Sequence, residues 1–264
     1  VGAIKNPAFL IGLISAGLIF SCSDPVPPPH AMLPGQSNMI TRLLPEPSAQ
    51  KPLPAKPPEL VKAIGPEGFR DNFDRAEIGD DWFNSGGPYR IQSGQLTHSL
   101  SHNHPLWLNR TLPREVKVEF DCTGLSADGD VKVELFGDGR AAENDQDVAR
   151  DAQYTATGYV FIFGGWKNRL STIVKQAEHS WERDKSVPRR NDVRVEPGRS
   201  YHWTITRTMT PSGGHLAWQL DGKPFMEWDD PAPLDGPGHD RFAFEGWEAP
   251  AACGNLAIAP VKKY

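Results

Sequence analysis

The chain has 264 residues, with 25 Pro, 25 Gly, 3 Cys and a net charge of -5. That balance argues against attachment to nucleic acid or to an anionic lipid surface by bulk charge, and three Cys are too few for a disulfide scaffold. Only 38% of the residues are hydrophobic, so part of the chain is expected to lie outside any packed core.

The elements begin with a charge-free apolar run, Ala8 to Phe20, behind Lys5. It is shorter than the roughly 20 residues of a membrane-spanning helix and suits the apolar region of a signal peptide. It ends in Ile19-Phe20-Ser21-Cys22. This resembles the bacterial lipobox, with an aliphatic residue three before the Cys and a small residue just before it. The resemblance implies that residues 1–21 are removed and that Cys22 carries lipid as the mature N-terminus. Acyl chains anchor by roughly 0.8 kcal/mol per buried CH₂. Ser23, not Asp, follows the Cys, which under the lipoprotein sorting rule implies the outer membrane. An ordinary secretory signal or an uncleaved anchor is the competing reading.

Eleven Pro lie between residues 25 and 60, where there is no Phe, Tyr or Trp. Proline removes a backbone donor and fixes φ, and a segment without aromatic side chains buries too little to offset ordering. Residues 22–66 are therefore expected to be a semi-rigid tether. A proline-rich ligand for a partner is the alternative. All 8 Trp lie beyond residue 80, and residues 67–264 are expected to form one domain.

Within it, short period-two runs recur between Gly, Pro, Asn and Asp. They are 116–120, 131–135, 201–206, 216–220, 224–228, 241–245 and 255–258. The run 159–163 is apolar on both faces, as in a strand covered on both sides. Residues 170–174 are a further candidate, and Asp221-Gly222 between two runs predicts a hairpin. Only 141–152 suggests a short helical turn. This pattern predicts an all-β, antiparallel two-sheet sandwich or jelly roll.

Phe73-Asp74-Arg75 with Asp81-Trp82 resembles the opening strand of the concanavalin A-like and laminin G-like jelly rolls, and Tyr89 to Leu96 (YRIQSGQL) and the hairpin Leu216–Trp228 resemble later elements of them. Gly158 to Trp166 and Gly236 to Phe242 resemble secreted bacterial members. The resemblance spans nearly all of 69–264 and implies the fold far more than a function, because lectins, glycosidases and adhesive modules share it. In these jelly rolls the closing strand lies beside the strand corresponding to 116–122. The resemblance therefore implies a Cys122–Cys253 disulfide, with two buried free thiols as the alternative.

The resembling glycosidases carry carboxylates at alternate positions of one strand. The nearest string here, Glu143-Asn144-Asp145-Gln146-Asp147, lacks a strand's alternation and is expected to be a solvated acidic loop. Asp138, Asp145 and Asp147, in an acid-rich region, are candidates for calcium, which takes oxygen ligands. His98, His102 and His104 would share one strand face and could suit zinc, although a polar strand edge explains them as well. No other cofactor is expected.

A sugar site needs a flat aromatic platform beside amide, carboxylate or guanidinium groups. Two segments supply both: Trp166, Asn168, His179 and Trp181 in one, Arg241, Glu245 and Trp247 in the other. Phe242 and Phe244 should face the core and leave Arg241, Ala243 and Glu245 on a concave face, which Glu134 and Phe136 would share by parity. Trp203, Trp218 and Trp228 are expected in the core. The leading expectation is a membrane-anchored envelope lipoprotein whose jelly roll binds carbohydrate or glycoconjugate. One alternative is a divergent glycoside hydrolase using Glu134, Asp240 or Glu245. Another is a structural or interaction domain without a sugar site.

Overall fold

The computed structural model describes residues 61–143 and 156–262. Cys22, residues 22–60 of the expected tether, Asp145, Asp147 and most of the helical candidate 141–152 fall outside these residues, whereas residues 61–66 lie within them, with Ile64 packed in the core. Strands are numbered in chain order. One sheet has the spatial order β12 (Arg189–Arg190), β11 (Leu170–Lys175), β10 (Tyr159–Gly164), β9 (Val131–Gly137), β16 (Arg241–Glu245), β6 (Leu106–Leu108) and β3 (Trp82–Asn84). The other runs β15 (Lys223–Asp230), β14 (Gly213–Leu220), β13 (Ser200–Thr210), β8 (Val116–Gly124), β17 (Ala251–Pro260), β5 (Gln95–His98) and β4 (Arg90–Gln92), with β2 (Phe69–Asp71) also on β17. A short parallel pair joins β1 (Lys62–Ala63) to β7 (Arg110–Thr111). Pairing within the two large sheets is antiparallel. This is the expected jelly-roll sandwich.

Side-chain alternation builds the core between the sheets. Val116, Val118, Phe120 and Cys122 of β8 face Val133, Leu135, Phe161, Phe163, Phe242 and Phe244 of the opposite sheet. Trp203 and Trp218 are fully buried there, while Trp228 lies at the core's margin. The Asp221-Gly222 hairpin forms as expected, with φ of 52° and 72°. Positive φ at both central residues matches the strand twist, which is why Asp-Gly suits this turn. Ser93-Gly94 makes the same kind of turn between β4 and β5, with φ of 52° and 72°.

The opening strand lies earlier than the resemblance implied. It is Phe69–Asp71, and Phe73 follows in a left-handed conformation, φ 57°. The Asp71 carboxylate accepts bonds from the Phe73 amide (2.8 Å), Arg75 Nη1 (2.6 Å) and Trp82 Nε1 (2.8 Å). Burial would raise its pKa, but these donors outweigh burial and hold it below the ordinary value. The phenylalanine–arginine–tryptophan spacing therefore marks a corner, not a strand.

Cys122 and Cys253 stand opposite each other on β8 and β17 and are joined as a disulfide. No helix among the described residues is long and apolar enough to cross a membrane.

Candidate functional site

The expected concave face is largely closed. Ala243 is fully buried against Phe83 and Trp107, and Trp107 Nε1 donates to the Ala141 carbonyl at 2.9 Å, so residues before Glu143 cross this face of β16. Glu134 is also fully buried and accepts the Thr157 amide at 2.9 Å. Phe136 does not share its face. The β9–β16 register slips between Arg241 and Phe242, leaving Phe136 as the extra residue with φ 60°. A bulge re-aims a side chain, and here it turns Phe136 into the core. Asp240 pairs with Arg241 at the end of β16 away from Trp247.

An open cleft of about 620 Å³ remains beyond the other end of β16. It brings together Trp166, His179 and Trp247 from the two segments singled out in the sequence. Trp166 and Trp247 are both partly exposed. Trp181 does not line the cleft but props Trp166 from behind, with ring centroids 5.0 Å apart at 68°. His179 stands edge-on to Trp166 at 5.3 Å. Trp247 packs against His102, with ring centroids 4.7 Å apart and the planes tilted by 43°.

The Trp166 rim rests on unusual backbone. Trp166, Lys167 and Asn168 have φ of 52°, 61° and 57°, a single left-handed turn. L-residues lose roughly 1–2 kcal/mol each in this conformation. Asn168 holds the turn by donating to Val195 O (2.8 Å) and Ala127 O (3.1 Å) and accepting the Val195 amide (2.9 Å). Its amide is thus spent on the scaffold and does not face a ligand. Strain of this kind gathers at functional sites. Lys167 is exposed and unpaired among the described residues, so Lys167→Gly is expected to stabilise the fold by about 1 kcal/mol. An unchanged or lower midpoint in urea would show that the turn carries no such strain.

The cleft floor is a buried polar cluster that inspection of the sequence alone does not reveal. Lys132 is 2% exposed. Its ammonium donates to Glu178 Oε1 at 2.6 Å and Asn103 Oδ1 at 2.9 Å and lies 3.7 Å from Asp130 Oδ2. Asn103 Nδ2 in turn donates to Glu143 Oε2 (2.9 Å) and Glu178 Oε2 (3.0 Å). Backbone bonds fix the loops that carry these groups: Asn103 N to Gly246 O (3.0 Å), Glu143 N to Asn103 O (3.0 Å) and Asp130 N to Gly164 O (2.8 Å). The Trp247 amide donates to Asp130 Oδ2 at 3.0 Å, tying the second rim to the floor.

Glu245 lies directly across the ladder from Lys132, on the same sheet face. It is fully buried, and neither carboxyl oxygen has a hydrogen-bond partner among the described residues. Burial, opposed by Lys132 and reinforced by Glu134 and Glu178, raises its pKa well above the usual carboxyl range. Burial also raises Asp130 and Glu143. Burial alone would lower Lys132, but Asp130, Glu178 and Glu245 outweigh it and keep the ammonium charged.

The three His do not share a strand face. Strand β5 ends at His98, and Leu100, His102 and Asn103 then take φ of 54°, 46° and 52°. His98 is buried within 2.9 Å of Ser101 Oγ; burial pushes its pKa down to about 4, with Lys132 adding to the shift. The Asp138 carboxylate accepts the Arg140 (2.9 Å) and Ala141 (2.8 Å) amides and so caps a turn. Among the described residues no group of three or more His, Cys, Asp or Glu is arranged to hold a metal ion.

No protein-family model matches the chain. No curated protein matches it either. Solved structures do. A protein of unknown function with a galectin-like fold from Bacillus subtilis is 15% identical, covering 74% of this chain and 96% of that one, with a TM-score of 0.51. The carbohydrate-binding module CBM66 from Bacillus subtilis is 13% identical, covering 68% and 95%, with a TM-score of 0.48. The alginate lyase Aly36B, as a mutant in complex with alginate tetrasaccharide, is 11% identical, covering 78% and 100%, with a TM-score of 0.45. Strand order, core and the first of these likenesses agree on a galectin-like jelly roll.

Proposed function

We propose that this chain is an envelope lipoprotein, anchored through lipid on Cys22, whose jelly roll binds a carbohydrate or glycoconjugate in the cleft between Trp166 and Trp247. The observation that carries the reading is the pair of partly exposed indoles at the rims of a cleft floored by fixed carboxylate, amide and ammonium groups. Indole faces suit the apolar C–H faces of a pyranose, and fixed polar groups select its hydroxyls. Because backbone bonds already hold the floor, little ordering cost remains for binding.

A glycan array probed with the full chain tests this. Retention of at least one glycan class is expected. Trp247→Ala should weaken that binding about 30-fold, corresponding to roughly 2 kcal/mol for an aromatic anchor. Unchanged affinity in that variant would remove the proposed site. For the anchor, mass spectrometry of the mature N-terminus should find a diacylglyceryl group on Cys22, and an unmodified Cys22 would refute it. The apolar run, Ile19 to Cys22 and the proline-rich stretch behind them support the anchor and tether.

Glycoside hydrolysis is the second reading, favoured by one observation. Glu143 and Glu178 share the Asn103 amide nitrogen at 2.9 and 3.0 Å, which keeps those oxygens within about 6 Å of each other, in the range of paired glycosidase carboxylates. Glu134 and Glu245 are fully buried and Asp240 lies away from the cleft, so none of the three lines it. Release of new reducing ends from a bound glycan, abolished in Glu178→Gln, would favour hydrolysis over binding alone.

A further inference from the structure

The inventory of charge and hydrogen-bond donors in the cleft says more about the ligand. Five carboxylates line it, from Asp128, Asp130, Glu143, Glu178 and Glu248, against three cationic side chains, from Lys132, Lys167 and Arg169. The buried part is more one-sided. Lys132 is the sole cation there among the described residues, and its ammonium is committed to Glu178, Asn103 and Asp130. Both Asn103 donors are committed to Glu143 and Glu178. The floor therefore has no spare donor, while Glu143 Oε1 and Asp130 Oδ1 accept no hydrogen bond among the described residues.

A second, independent observation points the same way. Glu245 is fully buried, stands across the ladder from Lys132 and so projects into this cluster, yet both its oxygens are unpartnered among the described residues. A buried carboxyl without donors is costly. One lysine facing Asp130, Glu143, Glu178 and Glu245 leaves the floor short of positive charge and of N–H groups. Burial accordingly raises the pKa of Asp130 and Glu143. At the rims, the indoles of Trp166 and Trp247 have negative faces, which attract a cation held within about 6 Å.

We propose that the cleft selects a glycan bearing a protonated amine, an amino sugar without an N-acyl group, with its ammonium against Glu143 and Asp130 and its ring against an indole. A uronate would set its carboxylate against the same acceptors and be rejected. This rests on the carbohydrate-binding reading and adds its charge class.

The test is calorimetric titration of the full chain with four oligosaccharides of equal length: glucosamine, N-acetylglucosamine, glucose and uronate oligomers. The pH is set so that the free amine is protonated. The glucosamine oligomer should bind at least tenfold more tightly than its N-acetylated form, about 1.4 kcal/mol. The uronate should be weakest. Glu143→Gln, nearly isosteric and still able to accept from Asn103, should bring the two amino-sugar forms to within twofold of each other. Should that variant fold poorly, the wild-type preference should still vanish as pH rises through the amine's own pKa. Equal or tighter binding of the N-acetylated, neutral or uronate oligomer overturns the proposal but leaves a glycan site standing. No binding of any of the four by the folded chain overturns the proposal and counts against the carbohydrate reading beneath it.

Discussion

Lys132→Met is expected to lower the free energy of unfolding by about 3–5 kcal/mol at neutral pH, the usual result of removing one partner from a buried ion pair. Methionine nearly fills the lysine's volume, so the loss is electrostatic rather than steric. It leaves Glu178, Asp130 and Glu245 buried with no facing cation. The pH dependence separates this cause from poor packing. Without Lys132 the raised carboxyl pKa values rise further. A carboxyl whose pKa is higher folded than unfolded makes the folded state bind more protons, so stability falls as pH rises from the unfolded value through the folded one. The variant's deficit should therefore be largest at neutral pH and shrink as the medium is acidified towards the unfolded carboxyl range. Urea unfolding of both proteins at the two pH values measures it. A deficit of the same size at both would place the cause in packing and sink the electrostatic account.

Breaking the Cys122–Cys253 bridge should cost about 2–5 kcal/mol, with the upper part of that range expected for a long loop. The bridge spans 131 residues, and in the chain-entropy model the effect lies mainly in the unfolded ensemble that the bridge restricts. Two consequences can be read by thermal unfolding. Cys122→Ala, Cys253→Ala and the double variant should melt close together, because any one of them removes the same covalent link and both side chains are small and buried. Reductant should lower the midpoint of the wild type and leave the double variant unmoved. A wild-type midpoint indifferent to reductant would mean that the bridge adds nothing.

The strands with period-two alternation are legible in the sequence because each buries one face and exposes or polarises the other. Val116 to Phe120 and Tyr201 to Thr206 are examples. Leu106-Trp107-Leu108 is not, because all three are buried and so short a run has no period. The Trp166 and Trp247 rims are legible from residue type, since aromatic side chains beside polar ones suit a sugar. The floor is not. Alternation in Val131-Lys132-Val133-Glu134 correctly puts Lys132 on the face away from the core, but says nothing about what covers that face. The cover comes from Asn103, Glu143 and Glu178, and no local pattern records that three distant loops meet over one lysine. Phe136 shows the complementary difficulty. A bulge changes a strand's parity at one residue, so counting by twos places everything before it correctly and Phe136 itself on the wrong side.

The left-handed turn at Trp166, Lys167 and Asn168 also bears on how sequences of this kind should diverge. Glycine at Trp166 or Lys167 would relieve the backbone, whereas Asn168 holds the turn through its bonds to Val195 and Ala127, so the side chains at 166 and 167 persist only while something besides folding favours them. In descendants that keep the sandwich but abandon the cleft, these positions should be among the first to drift to glycine, with the core tryptophans Trp203 and Trp218 retained. In descendants that keep the cleft, the strained side chains and the Lys132 cluster should be inherited together. Co-inheritance across such a lineage would mark the cleft as a trait under selection, read from the tree rather than from the molecule.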